Sequence, residues 1–156
     1  MTVEYGTFRT QFRDRGHAAS YDRTRFGGLV RALRELRWRR ALRRLLREVA
    51  PVEGLVLDLP CGTGRLAPLF REASIASVGA DLSAPMLGEA RRKGARFLLV
   101  GDAERLPLRD GAVDGVVSLR FMSHPPRDAR GRILAEMARV ARRFCLLYTS
   151  PSPRDS

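Results

Sequence analysis

Cysteine, lysine and long apolar runs are nearly absent from this chain of 156 residues. Cys61 and Cys145 stand in separate segments, which excludes a disulfide framework and the usual cysteine-rich metal sites. No apolar run approaches the roughly 20 residues that cross a bilayer, and residues 1–12 lack the apolar centre of a signal peptide. Together with the length, these absences predict one cytoplasmic domain that holds no metal.

Positive charge is abundant, since the formal net charge is +12 and all but one of the 29 basic residues are arginine. A basic chain raises nucleic acid as a partner. The near absence of lysine instead indicates a coding bias toward arginine along the whole chain. The densest arginine cluster, residues 31–47, contains Trp38 as its only aromatic residue, which favours a solvated helix face. A non-catalytic RNA-binding module that uses this helix stays open as an alternative function.

The first 50 residues have a helical pattern whose apolar stripe changes sides. Because the change falls near Arg37, we expect two helices or one bent helix, followed by a break at residues 51–54. The first stripe holds Leu29, Leu33 and Leu36, and the second holds Trp38, Ala41, Leu42, Leu45 and Val49.

Strand and helix patterns alternate in the remainder of the chain. This alternation is typical of an α/β fold and predicts a doubly wound parallel sheet with helices on both faces. The five expected strands span residues 55–57, 76–80, 95–100, 113–119 and 144–149.

The segment from Leu55 to Gly64 joins an apolar strand to a glycine turn and places Asp58 at the joint. Gly62 and Gly64 suit a turn that side chains would obstruct, and such a corner is typical of a nucleotide-type binding site. The glycine spacing also fits a dinucleotide. A carboxylate at the strand end would repel a pyrophosphate, however, so Asp58 favours a ligand with a cationic group. An NAD(P)-binding oxidoreductase is the enzymatic alternative.

Three acids, Asp58, Asp81 and Asp102, follow three successive predicted strands. The carboxyl ends of parallel strands lie on one edge of a sheet, where ligands bind near the point at which the strand order reverses. We therefore expect the three carboxylates to converge on one site.

The run Asp-Leu-Pro-Cys-Gly-Thr-Gly, residues 58–64, closely resembles motif I of the class I S-adenosylmethionine-dependent methyltransferases. Pro60 stands where the commonest form of that motif has its first glycine. The resemblance covers about residues 20–144 and implies a Rossmann-like sheet, S-adenosylmethionine as cofactor and a small-molecule methyl acceptor. Later motifs of the family resemble residues 79–87, 101–108 and 114–117.

The resemblance also implies cofactor-binding residues. Asp58 would lie nearest the methionine end, Asp81 would accept hydrogen bonds from the ribose hydroxyls, and Asp102 would meet the adenine edge together with the Ala103 amide. The full expected set is Asp58, Pro60, Cys61, Gly62, Gly64, Asp81, Leu82, Met86, Asp102, Ala103, Leu119, Tyr21 and Arg25.

Side chains outside the three acids have narrower expected roles. Leu82 and Met86 are candidates to pack on adenine, and Tyr21 or Arg25 would meet the methionine carboxylate. An exposed position for these last two in a surface helix stays open. His124 is the candidate general base, because the ordinary pKa of histidine lies near neutrality and the segment after the fourth strand faces the acceptor in this family. A loop histidine without a catalytic role is the alternative.

Residues 145–156 resemble a translated transposase adaptor from a sequencing library. If the natural coding sequence ends near Phe144, the sheet is truncated after about its fifth strand and the activity of the fragment is doubtful. A genuine fifth strand followed by a Pro/Ser-rich tail is the alternative. The expected organisation is thus an N-terminal helical cap (1–50), an incomplete cofactor-binding core (51–144) and a non-native tail (145–156). The acceptor and the oligomeric state are left open.

Overall fold

The computed structural model describes residues 29–50 and 53–148, with side chains from Leu36 onward. The predicted site residues Tyr21 and Arg25 lie outside the described residues. The helices and strands are α1 (Leu29–Val49), β1 (Leu55–Asp58), α2 (Ala67–Glu72), β2 (Ala76–Asp81), α3 (Ala84–Arg92), β3 (Phe97–Val100), β4 (Val113–Leu119), α4 (Arg127–Val140) and β5 (Ala141–Tyr148).

Five parallel strands form one sheet in the order β3-β2-β1-β4-β5. The chain moves outward from β1 to β3 and then returns to the other side of β1, so the order reverses between β1 and β4. Asp58, the last residue of β1, is in register with Gly79 of β2 and Val117 of β4. The predicted α/β fold with a doubly wound parallel sheet is confirmed, and its reversal point lies beside Asp58.

Helices cover both faces of the sheet because adjacent residues of a strand point in opposite directions. Leu57 of β1 packs in the cluster that α4 covers, whereas its neighbour Val56 packs in the cluster that α1 and α2 cover. Both faces are therefore apolar, as expected for a parallel sheet. The large, fully buried side chains that the helices contribute are Ile133, Met137 and Val140 from α4 and Leu46, Leu69 and Phe70 from α1 and α2 together with Leu66 before α2.

Helix α1 runs without interruption through Arg37, so the two-helix form of the prediction was wrong. No glycine or proline lies between residues 29 and 49 to interrupt it. Its buried stripe is Trp38, Leu42 and Leu46, at a spacing of four residues. Although α1 is 21 residues long, no helix within residues 29–50 and 53–148 is long and apolar enough to span a membrane.

Strands β1 and β2 each end one residue later than predicted, and the starts of β3 and β5 differ by two and three residues. Strand β3 begins at Phe97 rather than at residue 95, because the Ala95 amide still donates to the Ala90 carbonyl at the end of α3, at 3.1 Å. Strand β5 begins at Ala141, which pairs with Val113, rather than at residue 144, so α4 ends at Val140. The bounds of β4 are as predicted.

The last part of β5 is integrated into the sheet. Leu146 and Tyr148 pair with β4 and pack against the cluster of α1, and the Tyr148 ring stacks on Trp38 with centroids 6.0 Å apart. The expected boundary between the core and the tail, at residue 144, therefore falls inside β5. The origin of residues 145–156 stays a prediction.

The stripe on α1 gives a paired test of the packing. Leu46 is fully buried, whereas Leu45, which the sequence pattern placed on the buried side, is 41% exposed. We expect Leu46→Ala to lower the free energy of unfolding by about 2–5 kcal/mol, because it leaves a cavity in the core. Leu45→Ala should cost less than about 1 kcal/mol. Equal losses for the two variants in urea unfolding would contradict this placement of α1.

Candidate functional site

A cleft of about 200 Å³ opens at the carboxyl edge of the sheet, where β1 to β4 end. The topology brings most of the expected residues to its wall, with Gly64 as the exception among those described. The predicted residues that line it are Asp58, Pro60, Cys61, Gly62, Asp81, Leu82, Met86, Asp102, Ala103, Leu119 and His124.

The two glycines of the turn after β1 have different structural roles. Gly62 has φ +52° and lines the cleft, with open space where a Cβ would stand. Gly64 has φ +75°, and a Cβ there would lie 2.8 Å from the Cα of Ala90. Gly64 therefore allows the turn to pack against α3, and its place in the structure is away from the cleft wall.

Asp81 connects the carboxyl ends of β1 and β2 through hydrogen bonds. Its Oδ2 accepts a hydrogen bond from the Gly62 amide at 2.9 Å, and its Oδ1 accepts one from the Ser83 amide at 2.8 Å. Ser83 in turn caps α3, because its Oγ accepts from the Met86 amide at 3.3 Å. Burial raises the pKa of Asp81, and these amide hydrogen bonds oppose that rise. The carboxyl group is thereby held in one orientation at the cleft.

The pKa of Asp58 is raised more strongly than that of Asp81. Its side chain is buried at the end of β1, and burial raises its pKa well above the ordinary value of 3.8, with the negative charge of Asp81 adding to the rise. The pKa of the Cys61 thiol is raised by burial and by the same two carboxylates. Cys61 is therefore a protonated turn residue rather than a nucleophile. A cation in the cleft would stabilise the charged form of both acids.

The loop between β3 and β4 carries Asp102 and Ala103 to the cleft. The Asp102 Oδ1 accepts from the Glu104 amide at 3.0 Å, which shapes the start of the loop. Farther along, α4 holds the loop, since the Arg139 guanidinium donates to the carbonyls of Leu106 and Leu108 at 3.2 and 2.8 Å.

A second residue of α4 completes this attachment. Glu136 accepts from the Leu106 amide at 2.8 Å and forms an ion pair with Arg139 at 2.8 Å. The ion pair lowers the pKa of Glu136. Sequence reasoning missed both residues: their three-residue spacing indicates a helical ion pair, but nothing in the sequence indicates that the pair reaches a loop about 30 residues away.

The segment that follows β4 forms another wall of the cleft. Leu119 ends the strand, Arg120 turns the chain with φ +56°, and Phe121 and His124 complete this wall. The His124 side chain is exposed, and its amide donates to the Phe121 carbonyl at 2.9 Å. The lining residues that sequence reasoning did not select are Leu59, Thr63, Arg65, Leu66, Ser83, Gly101, Arg120 and Phe121.

Known proteins are similar in sequence to this part of the chain. A family described as a methyltransferase domain matches residues 56–143. A demethylmenaquinone methyltransferase of Thermus thermophilus is 39% identical over 133 residues, which are 78% of this chain and 58% of that protein. A malonyl-[acyl-carrier protein] O-methyltransferase of Pectobacterium atrosepticum is 39% identical over 101 residues, which are 64% of this chain and 39% of that protein. The chain thus spans less than two thirds of these curated relatives.

The fold is also similar to a solved structure. Magnesium protoporphyrin IX methyltransferase from Synechocystis PCC 6803, with bound SAM, has a TM-score of 0.71 and 20% identity, covering 96% of this chain and 81% of that chain. At this identity the likeness shows the fold alone. The family match, by contrast, extends from β1 to β5 and includes the glycine turn and all three acids. The chain belongs to the family of S-adenosylmethionine-dependent methyltransferase domains.

Proposed function

We propose that this protein binds S-adenosylmethionine in the cleft and transfers its methyl group to a small-molecule acceptor. The observation that carries the proposal is the convergence of Asp58, Asp81 and Asp102 with the glycine turn on one cleft wall. Family membership leaves an NAD(P)-dependent oxidoreductase and a non-catalytic RNA-binding module unsupported. The relatives named above act on different acceptors, so their substrates do not identify the acceptor of this chain.

The cleft residues fit the cofactor in polarity. Asp58 and Asp81 are buried acids whose charged forms a cation would stabilise, which suits the ammonium and sulfonium groups. Asp81 retains lone pairs beyond the hydrogen bonds that it accepts from backbone amides and is proposed to accept from the ribose hydroxyls. Asp102 and the Ala103 amide are proposed to meet adenine. Buried Met86 and half-buried Leu82 offer the apolar surface for its ring.

Pro60, Cys61, Gly62 and Leu119 are proposed to contact the cofactor through the shape of the turn and of the strand end that they form. Gly64 is proposed to act through packing against α3, since its Cβ position is filled by Ala90. Tyr21 and Arg25 stay proposed partners of the methionine carboxylate.

Methyl transfer makes modest chemical demands on the protein. The cofactor supplies a methyl group on a sulfonium, which is an excellent leaving group, so alignment and exclusion of water supply most of the acceleration. The cleft walls from β1 and β4 are proposed to align acceptor and methyl group. His124, on an exposed position at the cleft, is proposed to take a proton from an acceptor that must lose one.

Loss of the ribose contact tests the proposal. We expect Asp81→Ala to weaken binding of S-adenosylhomocysteine at least tenfold, because it removes a charged acceptor from the cleft and releases the Gly62 and Ser83 amides. Calorimetry on the full chain measures the affinity. Glu53→Gln, an exposed acid at the far end of β1, is the matched control and should bind like wild type. Failure of wild type to bind, or equal affinity for Asp81→Ala, would refute the proposal.

The buried charge of Asp58 predicts a conflict between stability and binding. The folded-state pKa of Asp58 is raised, so its contribution to stability is present below the ordinary value of 3.8 and is lost as pH rises through the folded-state value. At neutral pH Asp58→Asn should therefore unfold at higher urea than wild type while binding S-adenosylhomocysteine more weakly. The stability difference should shrink as pH falls toward 3.8. A variant less stable than wild type at neutral pH would contradict this account.

A further inference from the structure

Arg120 adopts a backbone conformation that arginine rarely takes. Strand β4 ends at Leu119, and Arg120 turns the chain with φ +56°, in the left-handed region. Its amide donates to the carbonyl of Tyr148 on β5 at 2.6 Å, which holds the turn in place. Glycine or asparagine would occupy this conformation with less strain. Strained residues of this kind cluster at binding sites, where the position of the side chain matters.

The side chain of Arg120 is incompletely satisfied. Its Nε is shielded from solvent and has no hydrogen-bond partner within the described residues. The acids of the cleft do not supply one, because this Nε has no acceptor within the described residues and the Asp81 oxygens accept from the Gly62 and Ser83 amides. A buried donor without an acceptor costs free energy, so an occupant that accepts this hydrogen bond is favoured.

Charge is divided between the two sides of the cleft. The three acids stand at the ends of β1, β2 and β3, whereas Arg120 and His124 follow β4, which lies on the opposite side of β1 from β2. Arg65 also lines the cleft, after the glycine turn, with its guanidinium over the ring of Trp38 at 5.6 Å from the centroid. The acidic side suits the cationic and hydroxyl groups of the cofactor. The β4 side is lined by Arg120, which carries a guanidinium, and by Phe121, which carries an aromatic ring. A planar guanidinium pairs with a carboxylate through two parallel hydrogen bonds.

We propose that Arg120 binds a carboxylate of the methyl acceptor, so that the acceptor is an organic acid with an apolar body that lies beside Phe121. This inference rests on the proposed function, since it assigns the β4 side of the same cleft to the acceptor. It places Arg120 as a residue that selects the acceptor rather than one that holds the cofactor.

A matched pair of ligands tests the proposal. Benzoate and benzamide share an aromatic body, and only benzoate carries a carboxylate. We titrate each into the ¹⁵N-labelled full chain, with and without saturating S-adenosylhomocysteine, and follow the Arg120 Nε–H resonance, which is assigned from its loss in Arg120→Gln. Benzoate should shift this resonance in a saturable manner, and benzamide should bind at least tenfold more weakly. Equal binding of the two ligands, or no saturable shift by benzoate, would overturn the proposal.

Variants separate the acceptor from the cofactor. Arg120→Gln should weaken benzoate binding at least tenfold and leave the affinity for S-adenosylhomocysteine within twofold of wild type. Arg120→Gly should show the same two affinities as Arg120→Gln. It should also fold at least as stably as wild type, because glycine relieves the strain at φ +56°. Arg91→Gln, an exposed arginine of α3, is the matched charge control and should change neither affinity.

The outcomes also distinguish this inference from the proposed function. A tenfold loss of S-adenosylhomocysteine affinity in both Arg120 variants would mean that Arg120 holds the carboxylate of the cofactor, which overturns the inference and leaves the proposed function standing. Failure of wild type to bind S-adenosylhomocysteine would refute the proposed function, whereas the benzoate titration of the free protein still decides the role of Arg120.

Discussion

The burial of two carboxyl groups at neighbouring strand ends is the constraint on which the cleft depends. Asp58 and Asp81 end adjacent parallel strands, and each has a raised pKa because the fold removes it from water. Hydrogen bonds from backbone amides, those of Gly62 and Ser83 among them, oppose this cost for Asp81. At Asp58 the negative charge of Asp81 adds to the cost of burial, and a cation in the cleft would offset it. We therefore propose that Asp58 links binding affinity to folding stability.

The remainder of the fold places the walls of the cleft around Asp58 and Asp81. Parallel pairing sets all strand carboxyl ends on one edge, and the order reversal beside β1 leaves space there for a ligand. Gly64 lets the turn lie against α3, and α4 fixes the β3–β4 loop through Arg139 and Glu136. Gly64, Arg139 and Glu136 are not among the residues that line the cleft, so contacts outside the lining help to determine its shape.

Sequence patterns predicted the order of elements and the three acids at the strand ends, because short apolar runs and strand-terminal acids are local signals. Side-chain placement depended on packing that is not local. Trp38, Leu42 and Leu46 face the core, whereas Leu45 does not, because α1 packs against the sheet and α2 through only one of two adjacent stripes. The hydrogen bonds of Arg139 to the β3–β4 loop and the left-handed turn at Arg120 arise only once distant strands are in place.

The protonation of Asp58 is the most direct measure of whether the cleft is organised around buried negative charge. Its side-chain carboxyl carbon can be followed by ¹³C NMR across a pH titration, assigned with Asp58→Asn, in the free protein and with bound S-adenosylhomocysteine. The account predicts a pKa well above the ordinary 3.8 in the free protein and a fall in that pKa when the ammonium-bearing ligand binds. An ordinary pKa in the free protein, or a raised value that the ligand leaves unchanged, would contradict it.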